Sequence, residues 1–158
     1  VDLNKDGLND LLVMDHEGYL SIFERFRDNG QLRLQPGKRI FFSKGISQFD
    51  HKGIGQNESD GLLQLNNGLF GRSGRRKFCV ADWDLDGKID LLVNGVNVNI
   101  LRNISVTEGE YLFIDTGLVS SKVLAGHTTC PTLVDWDKNG VHDLLIGAED
   151  GFFYLLRK

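Results

Sequence analysis

The sequence predicts an all-β fold, on three observations. Short apolar runs of three to five residues recur between glycine-containing turns, as strands do and as the 3.6-residue period of amphipathic helices does not. An acidic nine-residue window occurs three times, each time followed by such a run. The segments on either side of the second and third windows again read as short strands.

Composition sets the frame. The chain has 158 residues, 41% of them hydrophobic, which is enough for a sizeable core and too few for several domains. No stretch approaches the roughly 18 to 20 consecutive apolar residues of a membrane-spanning helix. The net charge of -4 hides an uneven distribution, because ten of the 22 acidic residues (Asp2, Asp6, Asp10, Asp82, Asp84, Asp86, Asp90, Asp135, Asp137 and Asp143) lie in the three windows. Carboxylates packed this closely repel one another unless a cation sits among them. The balance gives no support to nucleic-acid binding. The one basic cluster, Arg72, Arg75, Arg76 and Lys77, reads first as a solvated loop.

The windows align without gaps. Asp2-Leu-Asn4-Lys-Asp6-Gly7-Leu-Asn-Asp10 leads into Leu11-Leu12-Val13, Asp82-Trp-Asp84-Leu-Asp86-Gly87-Lys-Ile-Asp90 into Leu91-Leu92-Val93, and Asp135-Trp-Asp137-Lys-Asn139-Gly140-Val-His-Asp143 into Leu144-Leu145-Ile146. Side-chain oxygens stand at positions 1, 3, 5 and 9, and the carbonyls of Leu8, Lys88 and Val141 fall at position 7. Such a loop suits Ca2+, a hard ion that takes six to eight oxygens at roughly 2.3 to 2.6 Å, so up to three calcium sites are expected. Glycine at position 6 allows a sharp turn with a backbone angle that a Cβ disfavours. An EF-hand is excluded, since position 12 is Val13, Val93 or Ile146 where a bidentate Glu belongs, and no helix flanks the loop.

The remaining strands follow in order. Phe78 to Ala81 and Thr132 to Val134 precede their loops as first strands, and the runs after the loops are second strands. Asn97 to Leu101 and Phe152 to Leu156 are third strands, and Glu110 to Asp115 is a fourth. Loop starts lie 53 residues apart from 82 to 135 and 80 apart from 2 to 82, so the first interval holds an insertion, residues 43–77. A four-stranded sheet repeated about every 50 residues is the pattern of a β-propeller blade. The expectation is a propeller fragment of about three four-stranded blades (units 1–42, 78–117 and 130–158), with calcium loops between first and second strands. Three blades do not close a ring of four to eight, and the chain begins at a loop without the strand that should precede it. The expected partners are therefore the remaining blades of a larger parent propeller, from the same chain or from a cleaved one; a short open array is the alternative.

The string Asp-Trp-Asp-x-Asp-Gly-x-x-Asp-Leu-Leu-Val-x-Gly, nearly complete at Asp82 to Gly95 and repeated at Asp135 to Gly147, resembles the FG-GAP/VCBS repeats of secreted bacterial proteins and, more distantly, the calcium-binding blades of integrin α-chains. Asn4, Asn139 and Leu3 depart from that pattern. The resemblance, with the weak calcium sites usual in extracellular modules, implies an extracellular, periplasmic or cell-surface location. It also implies a binding module or scaffold that recognises carbohydrate or protein on the face opposite the loops.

That face collects Asp15, His16 and Glu17, then Asn94 and Asn97, then Glu149 and Asp150, with His127 to Cys130 from a link between blades. The alternative that the resemblance implies is part of a catalytic propeller of a polysaccharide lyase or related carbohydrate-active enzyme. Such a lyase needs a proton-abstracting base near a cation that neutralises a uronate carboxylate, and His16, His127, Arg72, Arg75 and Arg76 are the candidates. Trp83 and Trp136 read as apolar plugs between blades rather than sugar-stacking platforms. Cys79 and Cys130 read as two buried thiols, with a disulfide between adjacent blades as the alternative.

Overall fold

The computed structural model describes residues 1–45, 61–66, 76–124 and 129–158. Among these residues every regular element is a β-strand, and none is a helix long and apolar enough to cross a membrane. The chain divides into two compact units, Val1–Ser73 with Ile104–Phe113, and Gly74–Asn103 with Ile114–Lys158.

In the first unit, β1 (Leu11–Met14) and β2 (Leu20–Phe23) form an antiparallel hairpin with Leu11 opposite Phe23 and Met14 opposite Leu20. A second hairpin joins β3 (Arg25–Asp28) to β4 (Gln31–Leu34). Its turn is Asn29-Gly30, both at positive φ, the combination a tight hairpin turn needs. β5 (Phe41–Lys44) pairs with β6 (Gly61–Leu62). Residues just beyond β6 enter the core: Leu63 and Leu65 are buried with Leu20, Ile22, Phe41 and Phe113. Leu63 donates its N–H to Phe41 O, and Leu65 donates to Gly18 O, both at 2.8 Å. The Phe41 ring lies against Tyr111 and Phe113 at centroid distances of 5.3 and 6.3 Å. Part of the 43–77 insertion is thus structural.

β7 (Phe78–Ala81), β8 (Asp90–Asn94) and β9 (Val98–Asn103) of the second unit and β10 (Tyr111–Leu118), which belongs to the second unit from Ile114 onward, follow one another as neighbours. The first three are antiparallel in registers Ala81 to Asp90 and Leu91 to Leu101. Between β9 and β10, Thr116 Oγ1 donates to Ile100 O, and just past β10 Val119 N–H donates to Val98 O; rising numbers meet falling ones, the antiparallel sense. β11 (Cys130–Val134), β12 (Asp143–Gly147) and β13 (Phe153–Leu156) repeat the arrangement, with Val134 opposite Asp143 and Leu144 opposite Leu156. Ala81, Leu92, Val98, Leu124, Leu144 and Ile146 form one buried cluster, with Cys79, Trp83, Leu133, Tyr154 and Leu156 packed against it. Each fully buried leucine here contributes about 2 kcal/mol, enough to explain why Leu91, Leu92, Val93, Leu144 and Ile146 lie inside.

Candidate metal centre

The three acidic windows adopt one conformation. Position 4 has left-handed backbone at Lys5, Leu85 and Lys138 (φ 59, 62 and 60°), and position 6 does at Gly7, Gly87 and Gly140 (φ 86, 85 and 85°). Only glycine takes that angle at no steric cost, which accounts for the residue at position 6.

The side chain at position 1 closes the curl. Asp82 accepts N–H bonds from Asp86 and Gly87, both at 2.9 Å. Asp2 accepts from Asp6 (3.1 Å) and Gly7 (2.9 Å), and Asp135 from Asn139 (2.9 Å) and Gly140 (3.0 Å). Position 5 then accepts from the N–H of position 7: Leu8 to Asp6 (2.8 Å), Lys88 to Asp86 (2.9 Å) and Val141 to Asn139 (2.7 Å).

Position 9 anchors the loop to its sheet. Asp10, Asp90 and Asp143 are buried, and one oxygen of each accepts the N–H of position 2, from Leu3, Trp83 and Trp136 at 3.0 to 3.1 Å. The other oxygen accepts an N–H from the end of the third strand or just past it, Arg25 (2.8 Å), Asn103 (2.9 Å) or Lys158 (2.9 Å). In each copy that donor lies two residues past the strand partner of position 10, since Leu11, Leu91 and Leu144 face Phe23, Leu101 and Leu156. Burial pushes the Asp90 carboxyl up; its bonds from Asn103 and Trp83 pull it down, the charges of Asp86 and Asp82 push it up again, and it stays above the ordinary aspartate value.

In the second loop, carboxylate oxygens of Asp82, Asp84 and Asp86 all lie within 4.8 Å of one another. Two ligands held at roughly 2.3 to 2.6 Å from one ion are at most about 5 Å apart, so the spacing and the all-oxygen donor set fit a hard divalent cation. These three residues can hold a metal ion. In the first and third loops Asn4 and Asn139 replace one carboxylate, and the charge density falls accordingly. Two protein cations lie on the second loop: Arg102 pairs with Asp84, and Lys88 Nζ is 3.3 Å from Asp86.

At the turns on the opposite edges of these sheets, polar side chains are tied to their own scaffold. Asp15 accepts from the N–H groups of Glu17 (2.9 Å) and Tyr19 (3.1 Å), and the Arg39 guanidinium bridges Asp15 (2.6 Å) and Glu17. Arg39 also stacks over Tyr19, 4.4 Å from its centroid. Burial raises the Asp15 carboxyl, but the hydrogen bonds from Arg39, Tyr19 and Glu17 and the Arg39 charge outweigh it and hold it below its ordinary value. His16 is exposed in this turn.

Asn97 is fully buried and donates to Ser120 Oγ (2.8 Å) and to Lys122 O (2.5 Å). At the β12–β13 turn, Tyr154 donates its hydroxyl to Asp150, Lys122 Nζ lies 4.4 Å from the Tyr154 ring centroid, and Phe152 and Phe153 are 67% and 76% exposed.

Of the catalytic candidates, His127, Arg72 and Arg75 lie outside the described residues. Arg76 is in the second unit, donates to Asn94 O at 3.2 Å and has its guanidinium pushed below its ordinary value by burial. His16 belongs to the first unit. Trp83 packs on the core with Lys158 4.6 Å above its ring, whereas Trp136 is 55% exposed. Arg39 and Arg102 carry no sequence signal, because their partners lie 24 and 18 residues away (39 − 15 and 102 − 84) and meet them only through strand pairing. Comparison with protein-family models, with curated proteins and with solved structures finds no match to this chain.

Proposed function

We propose that this chain is part of a calcium-stabilised, extracellular or cell-surface β-propeller that acts as a binding module, with Ca2+ in the three acidic loops and a carbohydrate or protein ligand at the opposite turns. The observation that carries the proposal is the threefold recurrence of one loop conformation, with the same backbone angles and the same hydrogen bonds to the aspartates. Asp82, Asp84, Asp86, Asp90 and the Lys88 carbonyl would hold the ion in the second loop. Asp2, Asn4, Asp6, Asp10 and Leu8, and Asp135, Asp137, Asn139, Asp143 and Val141, would do so in the first and third. Bound calcium supplies positive charge that offsets carboxylate repulsion and locks each loop to its sheet.

The consecutive antiparallel neighbours β7 to β10 favour reading these strands as one blade, and β11 to β13 repeat its first three strands in register. The three acidic loops would mark at most three blades, too few for a closed ring, which favours further blades as partners. On the ligand side, the exposed rings of Phe152 and Phe153 beside Tyr154, Asp150 and Lys122 combine apolar faces with hydrogen-bonding groups, a composition suited to sugar rings or to a peptide.

A thermal melt in millimolar calcium and then in excess EGTA tests the proposal. A higher melting temperature in calcium supports it, and identical curves overturn it. Incubation with uronate-containing polysaccharides separates the two functional readings, since an unsaturated uronate product would mark a lyase and binding without product a recognition module.

A further inference from the structure

We propose that Cys79 and Cys130 form a disulfide, joining the first strands of the two sheets in the second unit when the protein meets a thiol-disulfide oxidant. Both cysteines are free thiols here. Among the described residues β7 and β11 each pair with a single strand, β8 and β12, and they lie against one another. Cys79 is opposite Leu92 and packs on the cluster that holds Ile146, while Cys130 opens β11 opposite Gly147. The Cβ of Cys130 is 3.9 Å from where a Cβ on residue 147 would sit, a position the Phe153 ring approaches at 3.5 Å.

The two thiols differ in a way that orders the chemistry. Burial pushes Cys79 up to about 12, with a further push from the Cys130 charge, whereas Cys130 is exposed. The thiolate is the nucleophile, so Cys130 reacts first. Its thiolate attacks one sulfur of an external disulfide such as oxidised glutathione, forming a mixed disulfide and releasing one glutathione thiolate. Cys79 then loses its proton, its sulfur attacks the Cys130 sulfur, and the second glutathione leaves. Two protein thiols are oxidised and one glutathione disulfide is reduced to two thiols. The bond would close a segment of 51 residues (130 − 79), and a loop of that length predicts a rise in melting temperature of about 10 °C on oxidation.

The test is to purify the full chain reduced, expose it to oxidised glutathione without denaturant, and measure intact mass and a non-reducing peptide map. The expected result is loss of two hydrogens, a peptide pair linking Cys79 to Cys130, and a melting temperature that falls again with dithiothreitol. Cys79→Ser should instead trap a stable glutathione adduct on Cys130. Persistence of that adduct in the wild-type protein, or two thiols that both remain open to alkylation after oxidation, overturns the proposal. So does a link that forms only after denaturant is added.

Discussion

In the absence of calcium, replacing Asp90 isolates its anchoring of the acidic loop from its part in the proposed metal site. Asp90 is 1% exposed, and its two oxygens accept the N–H groups of Trp83 and Asn103 at 3.0 and 2.9 Å. Asp90→Ala leaves both donors without a partner. Each such loss costs about 1 to 3 kcal/mol, so the variant should be less stable by about 2 to 6 kcal/mol, a large part of the 5 to 15 kcal/mol typical of a domain. Asp90→Asn keeps one acceptor and turns an amide NH2 toward the other donor, so about half that loss is expected.

The assay is urea unfolding in excess EGTA, where calcium contributes nothing. Asp84→Ala is the control, because among the described residues Asp84 accepts no backbone N–H, and it pairs with Arg102 on a partly exposed edge. It should cost less than about 1 kcal/mol in EGTA while weakening calcium binding to one loop. If Asp90→Ala and Asp90→Asn both unfold within about 0.5 kcal/mol of the wild type in EGTA, the anchoring role argued from the hydrogen bonds is refuted.

Three other perturbations follow from the same geometry. Asn139→Asp gives the third loop the carboxylate set of the second and should tighten the proposed calcium binding there several-fold, measured by titration calorimetry. Gly87→Ala places a Cβ at φ 85° and should destabilise by about 1 to 2 kcal/mol, read from the urea midpoint. Arg39→Gln removes the partner that holds Asp15 low; a depressed aspartate contributes stability above its unfolded value of 3.8 and loses it as pH falls through the folded value. Unfolding free energies compared below about pH 4 should therefore fall more steeply in the wild type than in the variant, and parallel curves would contradict the pairing.

The loops and the β character were legible in the sequence because both are local. Aspartates at alternating positions with glycine at position 6 favour one tight curl, and Leu-Leu-Val runs too short for a helix form strands, buried at Leu91–Val93 though Leu11 stays exposed. The local chain also placed Asp15 and Asp150 in turns, where each accepts the N–H two residues on.

Other features needed partners remote in sequence. The sequence offered position 9 as one more calcium ligand. The register of the sheets made Asp10, Asp90 and Asp143 the buried acceptors for Arg25, Asn103 and Lys158, because strand pairing alone brings those N–H groups to the loop. Leu63 and Leu65 lay in a segment that read as an insertion, and they entered the core once residue 63 bonded to Phe41 and residue 65 to Gly18. Arg39 and Arg102 stand in no motif, and tertiary folding gave each its carboxylate. The sequence by itself therefore determined the loop conformation, the strand character and the candidate ligands, all set by neighbours within about ten residues. The tertiary structure decided which aspartates anchor, which cations oppose the acidic loops and what the insertion buries, since those depend on hydrogen bonds and desolvation between segments that only pairing of the strands brings together.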